Sequence, residues 1–309
     1  MLLLMTAGRA MAQPTTSAPE TQPAASRPGV RSFQPGVSID WGERTVIVTS
    51  HVVLRRGPLE FLACFSGKEH ESILRFDAAA MHIYMALGLI GLQPGHPPAW
   101  DEARGDFGPA AGDLLDIACA WERDGREQQV DAFGWLREIE YARTPLARPW
   151  VFAGSIRLSD GSVAADRSGV GVALVDFSDS LVCLSHSYSS RAPELWVEAN
   201  SDAIPPVGTR VRVLFRPARP RDYRVAVDFR GQLAVDGRWT APDDLADLLR
   251  LTCKLDPQRV QLIRVEEALR SDVQLVQRRL AECGVPSDAV QFKRESDGPA
   301  PTTQPAEGR

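Results

Sequence analysis

The sequence has no excess of basic residues and no apolar run long enough to cross a membrane. Its 309 residues contain 35 Lys and Arg against 40 Asp and Glu, a net charge of −5. A general nucleic-acid-binding protein presents a basic face, so no nucleic-acid partner is predicted. The most apolar run, Ala78–Leu92, contains His82 and is shorter than the roughly 20 residues of a membrane-spanning helix. No transmembrane span is therefore expected in the mature chain.

Cysteine is scarce and widely spaced. The five cysteines form no C-x-x-C pair, whereas an iron–sulfur cluster needs four grouped thiolates, so an iron–sulfur cofactor is not expected. An odd number leaves at least one thiol unpaired within a monomer. Cys253 and Cys283 fall near the ends of two predicted helices, and the sequence leaves open whether they form a disulfide or two buried thiols.

Familiar enzyme motifs are also missing from the sequence. It contains no P-loop, no G-x-G-x-x-G after a predicted strand, no H-E-x-x-H and no G-x-S-x-G. No catalytic residue is therefore assigned, and a binding function is favoured over an enzymatic one.

The two ends of the chain are rich in proline and polar residues. Ala10-Met11-Ala12 before Gln13 has the form of a signal-peptidase site, which predicts a signal peptide over 1–12 and a disordered tether over 13–36. The tail at 296–309 has the same composition as the tether. Export to the periplasm or an equivalent compartment is expected, with a cytoplasmic location as the alternative.

Two folded segments are predicted between these ends, joined by a linker at 218–221. Residues 37–217 show short β-rich runs, a hairpin signal at Asp124-Gly125 and one buried helix over Ala78–Ile90 with Asp77 as its N-cap. Residues 222–295 show a ββαβαβ pattern. The predicted fold class is therefore α+β: a mostly β domain with one buried helix, followed by a small two-layer ββαβαβ domain.

One short stretch, 57–76, reads GPLEFLACFSGKEHESILRF and gathers residues that can carry chemistry. The candidate metal ligands are found here and in the helix and loop that follow: Cys64, His70, Glu71, His82 and His96. Thiolate, imidazole and carboxylate groups bind Zn²⁺ or a similar transition ion, but C-x5-H-E-x10-H matches no standard zinc motif. Three interpretations stay open: a metal or cofactor site, a Cys64–His70 nucleophile–base pair, and a structural corner between two strands.

The first folded segment resembles the YdjY-domain family. The resemblance rests on the blocks Gly57-Pro58-Leu59-Glu60, Lys68-Glu69-His70-Glu71-Ser72, Pro94-Gly95-His96-Pro97 and Pro149 to Ser155, and on Glu198-Ala199-Asn200 through Gly208. It implies an exported module with no known reaction.

The second segment, 222–295, is similar to the periplasmic domain of the ExbD/TolR biopolymer-transport family. A hairpin with Asp236-Gly237, an acidic helix start at Asp243-Asp244 and a helix ending at Cys283-Gly284 carry this similarity. It implies an envelope-protein or cell-wall partner and a homodimer through the C-terminal domain. Together the two resemblances predict an exported envelope protein that binds or scaffolds without catalysis; the alternative is a metal- or redox-cofactor protein using Cys64, His70 and His82.

Overall fold

The computed structural model describes residues 29–219, apart from 104, 186–187 and 192–193. Farther along it describes residues 225–227, 233–235, 238–240, 248, 261–264, 274, 278, 281 and 291–294. The predicted signal peptide, most of the tether, the tail and the Cys253–Cys283 pair lie outside the described residues.

Short strands dominate the described chain. The strands up to residue 217 are β1 (Val30–Gln34), β2 (Val37–Asp40), β3 (Thr45–Val52), β4 (Phe61–Cys64), β5 (Ser72–Phe76), β6 (Ala99–Asp101), β7 (Asp106–Gly108), β8 (Leu114–Arg123), β9 (Arg126–Asp131), β10 (Leu136–Glu138), β11 (Trp150–Val151), β12 (Val172–Ala173), β13 (Val182–Cys183), β14 (Val197–Ala199) and β15 (Arg210–Pro217). Up to residue 219, the described chain contains two α-helices, α1 (Ala80–Leu89) and α2 (Ala165–Ser168), and two 3₁₀ turns, Glu69–Glu71 and Ala132–Trp135.

Eight of these strands close into a barrel. Their order is β3-β15-β8-β11-β13-β12-β4-β5, and pairing of β5 with β3 completes the ring. Strand β15 illustrates why such a sequence forms a barrel wall, because Val211, Val213 and Phe215 are buried at every second position. Barrel closure pairs β5 with β3, so Ser50 lies opposite Phe76 and Val52 opposite Leu74.

The remaining N-terminal strands extend the barrel wall outwards. Strand β2 pairs with the first half of β3, β1 pairs with β2, and β9 pairs with β8. Strand β1 lies inside the stretch predicted as a disordered tether, so the ordered chain begins before Val37. The predicted hairpin at Asp124-Gly125 is confirmed: both residues have positive φ, 52° and 71°, and Arg123 pairs with Arg126 across the turn.

Helix α1 matches its predicted place, but its N-terminus is stabilised differently. The predicted N-cap, Asp77, instead places its carboxylate 2.9 Å from Nδ1 of His51. Asp166, from the short helix α2, accepts a hydrogen bond from the Ala80 N–H at 2.6 Å. The prediction of Asp77 as the cap is therefore wrong, because a residue distant in sequence supplies the acceptor.

The helix is also less buried than its composition suggested. Ile83, Ala86 and Leu87 are buried against the barrel, whereas Met85 and Leu89 are 38% and 49% exposed. A 10-residue helix on the outside of a barrel has one face in contact with the wall and one in solvent. No helix in the described part of the chain has the length and apolar character of a membrane span.

The predicted fold class is wrong. The molecule is mostly β and is organised around the closed barrel rather than around an α+β pair of domains. The described C-terminal strands, β16 (Val225–Val227), β17 (Leu233–Val235), β18 (Arg238–Trp239), β19 (Gln261–Arg264) and β20 (Gln291–Arg294), form one sheet in the order β18-β17-β16-β19-β20, not the predicted two-layer ββαβαβ domain. Of the two helices predicted within 222–295, the structure describes only residues 248, 274, 278 and 281, and these four are helical. The barrel is closed by pairing between strands that are far apart in sequence. No local pattern in the sequence indicates which strands pair, so the barrel could not be predicted from it.

Candidate functional site

Cys64 lies in the barrel wall at the end of β4. It is fully buried, in a cluster with Phe61, Val151 and Cys183. Burial raises the pKa of the Cys64 thiol to about 11, partly opposed by its hydrogen bond with Ser72. A thiol that stays protonated at neutral pH is a poor nucleophile. The structure therefore gives Cys64 a packing role.

His70 and Glu71 meet directly at the corner between β4 and β5. Nε2 of His70 lies 3.0 Å from Oε1 of Glu71, and the imidazole is 69% exposed. Lys68 approaches the other oxygen of Glu71, with its Nζ 3.6 Å from Oε2. The block that resembles the YdjY family thus forms a charged corner on the surface.

His82 and His96 occupy other places. His82 projects from α1 towards a cavity of about 360 Å³ that Asp77, Asp166 and Phe65 also line, and its Nδ1 is buried with no hydrogen-bond partner among the described residues. His96 is exposed in the loop after α1, where its Nδ1 lies 3.0 Å from the Pro97 carbonyl oxygen.

The five candidate ligands do not converge. Among the described residues, no three His, Cys, Asp or Glu side chains are arranged to hold a metal ion. The structure joins His70 to Glu71 and places Cys64, His82 and His96 elsewhere. The metal interpretation stays a prediction without supporting geometry, and elemental analysis of protein purified from its native host tests it directly.

A different part of the surface has the shape of a ligand site. A cavity of about 420 Å³ opens beside the two-stranded sheet of β10 and β14. Its walls combine aromatic, aliphatic and charged side chains: Glu138, Ile139, Glu140, Tyr141, Arg143, Leu146, Arg148, Tyr188, Glu194, Leu195, Trp196, Thr240 and Leu248. We call this the aromatic groove. Its volume falls in the range typical of small-molecule sites, which join apolar walls to a few placed polar groups.

Two stacked rings in the wall of the aromatic groove are held in place by hydrogen bonds. Tyr188 and Trp196 lie parallel, with centroids 4.2 Å apart and planes at 10°. The indole N–H of Trp196 donates to the Leu174 carbonyl at 2.9 Å, and Arg148 donates to the Tyr188 hydroxyl at 3.3 Å. Since both rings are fixed before any ligand arrives, little conformational entropy would be lost on binding.

The rim of the aromatic groove combines exposed apolar surface with paired charges. Ile139 and Tyr141 are 44% and 42% exposed. The Arg143 guanidinium lies 4.6 Å from the Tyr141 ring centroid and 2.7 Å from the Glu138 carboxylate. Such a rim offers one apolar face and several hydrogen-bonding groups to a ligand.

Sequence reasoning did not identify the aromatic groove. Its residues come from four separate stretches, around 138–148, 188, 194–196 and 240–248, and carry no motif. Trp196 immediately precedes β14, but nothing local indicated that its ring would meet Tyr188.

Comparison with known proteins gives one match. The sequence matches the YdjY domain family over residues 37–216, more than half of the chain. No curated protein and no solved structure matches it. The family match does not extend to 222–295, so the similarity of that segment to the ExbD/TolR family stays a prediction.

Proposed function

This chain belongs to the YdjY domain family, and we propose that it is an exported binding or scaffolding protein of the cell envelope whose ligand site is the aromatic groove. The observation that carries the binding function is the preformed pair Tyr188–Trp196 beside a cavity of about 420 Å³. The N-terminal signal-like sequence supports the location, and the absence of familiar enzyme motifs from the sequence supports a non-catalytic role.

The lining of the aromatic groove favours a ligand with an apolar face and polar edges. A saccharide ring of the cell wall has this character, because its C–H groups can stack on aromatic rings while its hydroxyls bond to Glu and Arg side chains. The cell wall is also the partner implied by the ExbD/TolR-like resemblance of 222–295. A redox- or metal-cofactor function is not argued as a second candidate, since no converging ligand set is present in the described residues.

Two experiments test the proposal. In host cells whose outer layer is permeabilised but whose inner membrane is intact, added protease should digest an exported protein. Full protection from the protease would show a cytosolic protein and would reject the envelope location. Co-sedimentation with purified cell-wall sacculi should show binding that the double variant Ile139→Ser/Tyr141→Ala weakens by about 10-fold or more, because each exposed apolar contact contributes on the order of 1 kcal/mol.

The matched control is Trp100→Ala. Trp100 is 56% exposed and stacks edge-on against Phe107 on the β6–β7 hairpin, which is not part of the aromatic groove. Binding should survive this change. Equal loss in both variants, or no binding by the unaltered protein, would contradict the aromatic groove as a cell-wall site.

A further inference from the structure

A cleft of about 370 Å³ lies on the outer face of the barrel and shares no residue with the aromatic groove. It forms along β3, where the neighbouring strand changes from β2 to β5. Hydroxyl, amide and charged groups supply most of its lining: Ser32, Gln34, Ser38, Thr49, Asp77 and Arg210. We call this the polar cleft.

The walls of the polar cleft are fixed by the backbone. The Thr49 N–H donates to the Gly36 carbonyl at 2.8 Å, and the Thr49 carbonyl accepts from the Asp77 N–H at 3.0 Å. Gly36 has a φ of 75°, and a Cβ atom there would lie 2.4 Å from the Asp77 carbonyl oxygen. The β1–β2 turn is therefore packed closely against the residue that follows β5. Because these walls are held together, little conformational entropy would be lost on binding a ligand.

Three basic side chains form a row beside the polar cleft. Arg210 of β15 lies opposite His51 of β3, and His51 lies opposite Arg75 of β5. Opposite residues of antiparallel strands share a face, and the neighbours of His51 along β3, Ser50 and Val52, are buried. The row therefore lies on the outer face of the barrel. Since like charges directly opposite one another destabilise a sheet, such a row favours anions nearby.

The carboxylates beside this row are already engaged by two of its members. Oδ2 of Asp77 lies 2.9 Å from Nδ1 of His51, and its Oδ1 lies 3.9 Å from a guanidinium nitrogen of Arg75. Another guanidinium nitrogen of Arg75 lies 3.9 Å from Glu69. Asp77, the carboxylate in the lining of the polar cleft, therefore has two cationic partners other than Arg210.

Arg210 differs from the basic residues around it. Arg212, the next residue on the same face of β15, pairs with Glu127. The Arg210 side chain is exposed at the polar cleft and, within the part of the chain that the structure describes, forms no ion pair and no hydrogen bond. A guanidinium has five N–H donors in a fork that matches phosphate oxygens. The polar cleft therefore presents a cation that no carboxylate engages, next to hydroxyl and amide donors.

We propose that the polar cleft binds a phosphate group, with Arg210 as the cationic anchor and the hydroxyls of the lining as neutral donors. These donors come from β1, β2, β3 and β15, and a tetrahedral phosphate accepts hydrogen bonds from more directions than a planar carboxylate. The two cations beside Asp77 offset its negative charge. The phosphate can belong to a soluble phosphomonoester or to a lipid headgroup, because both present the same oxygens. The site is independent of the aromatic groove and of its ligand.

An NMR titration of the full ¹⁵N-labelled chain with inorganic phosphate, at constant pH and ionic strength, tests this proposal. The amide signals of Gly36, Ser38 and Thr49 should shift saturably with phosphate and not with acetate. Arg210→Gln should raise the dissociation constant by about 10-fold or more, since it removes charged hydrogen bonds, and Thr49→Val by about 3-fold. Arg210 is exposed, and valine keeps the β-branched shape of Thr49, so both variants should fold.

Vesicle flotation distinguishes the two sources of phosphate. The probes are vesicles that contain phosphatidic acid, whose headgroup is a phosphomonoester, and vesicles of phosphatidylcholine alone. Flotation with the first and not the second, lost in Arg210→Gln, would assign the phosphate to a lipid headgroup. Saturable shifts with inorganic phosphate and no flotation would assign it to a soluble ligand.

Arg56→Gln is the matched control. Arg56 is also exposed and forms no side-chain ion pair or hydrogen bond among the described residues, but it lies beyond the end of β3 and outside the polar cleft. Its substitution should leave the dissociation constant within about twofold. The proposal is overturned if the unaltered protein binds neither phosphate nor phosphatidic acid vesicles, if acetate gives the same saturable shifts, or if Arg56→Gln and Arg210→Gln lose binding equally.

Discussion

Asp166 caps the N-terminus of helix α1, although it lies 86 residues later in the chain than the first residue of that helix. Its carboxylate oxygens accept hydrogen bonds from the backbone N–H groups of Ala80, at 2.6 Å, and Met81, at 3.3 Å. The first N–H groups of a helix have no partner within the helix, and a carboxylate there also interacts favourably with the helix dipole. The short helix α2 is therefore tied to α1 through one side chain.

Removal of this carboxylate should destabilise the protein. We expect Asp166→Ala to lower the free energy of unfolding by about 1–2 kcal/mol, the usual cost of a lost N-terminal cap. Urea denaturation monitored by circular dichroism measures the change. Asp179→Ala, in the same domain, serves as the control because Asp179 lies between β12 and β13 and, among the described residues, its side chain forms no hydrogen bond with α1. A loss below about 0.3 kcal/mol for Asp166→Ala would contradict the capping role.

A methyl group added at Gly171 should disrupt the barrel. A Cβ atom there would lie 2.4 Å from the Ala63 carbonyl oxygen of the neighbouring strand β4, and backbone atoms in a closed barrel cannot easily move apart. We expect Gly171→Ala to cost about 2 kcal/mol or more. Thermal denaturation measures the change.

Gly88 provides the matched control for that experiment. It is exposed on α1, and a Cβ atom there would meet no other atom within 4 Å. Since alanine is the better helix former, Gly88→Ala should stabilise the protein by about 0.5–1 kcal/mol. If Gly171→Ala and Gly88→Ala changed the stability in the same direction, the close approach at Gly171 would not be the cause of the stability change in Gly171→Ala.

Cys64 should be unreactive in the folded protein. Its side chain is fully buried, and with a pKa of about 11 fewer than about one thiol in a thousand is ionised near pH 7.5. Iodoacetamide labelling followed by peptide mass spectrometry should leave Cys64 unmodified until the protein is unfolded. Ser66→Cys, which puts a thiol on the exposed side of the same corner, is the positive control. Rapid labelling of Cys64 in the native state would argue instead for an accessible thiol.

The raised pKa of Glu60 should make the free energy of unfolding depend on pH in a defined direction. Because the pKa of Glu60 is raised in the folded state, from 4.5 to about 7, the folded protein binds the proton more tightly than the unfolded chain. Its contribution is fully present below pH 4.5 and is lost as the pH rises through about 7.

Glu60→Gln should therefore gain stability relative to the unaltered protein as the pH rises. At pH 8 we expect an advantage of about 1 kcal/mol, after allowance for solvent screening of a partly exposed group. Chemical denaturation at pH 4.5, 6, 7 and 8 gives the difference curve. A flat curve, or one that falls with pH, would contradict the assignment.

Local signals in the sequence predicted several elements correctly. The Asp124-Gly125 turn is confirmed. Aspartate and glycine adopt the positive φ of a two-residue hairpin turn more readily than most residues do. The predicted helix and its end before Gly91 are also confirmed. Gly91 has a φ of 92°, the left-handed conformation in which glycine commonly ends a helix. Membership of the YdjY family was also readable from short blocks, and the family match confirms it.

The candidate site shows where local signals fail. Cys64, His70 and His82 lie close in sequence, yet β4, the 3₁₀ turn and α1 direct them to the barrel wall, the surface and a separate cavity. Conversely, Tyr188 stacks on Trp196, and the N–H of Glu60, just before β4, donates to the Glu71 carbonyl just before β5. Proximity in space was set by contacts between separate elements, which the order of residues along the chain does not report.

The sequence by itself determined the turns, the helix and the alternating apolar positions of the strands, because these follow from each residue's preferred backbone conformation and from the need to bury one face. Only the tertiary structure decided that eight strands close into a barrel, that Asp166 rather than Asp77 caps α1, and that Tyr188 and Trp196 flank a cavity. Each of these depends on contacts between residues far apart in the chain. Such contacts form only when the whole core is packed, and no short segment carries them alone.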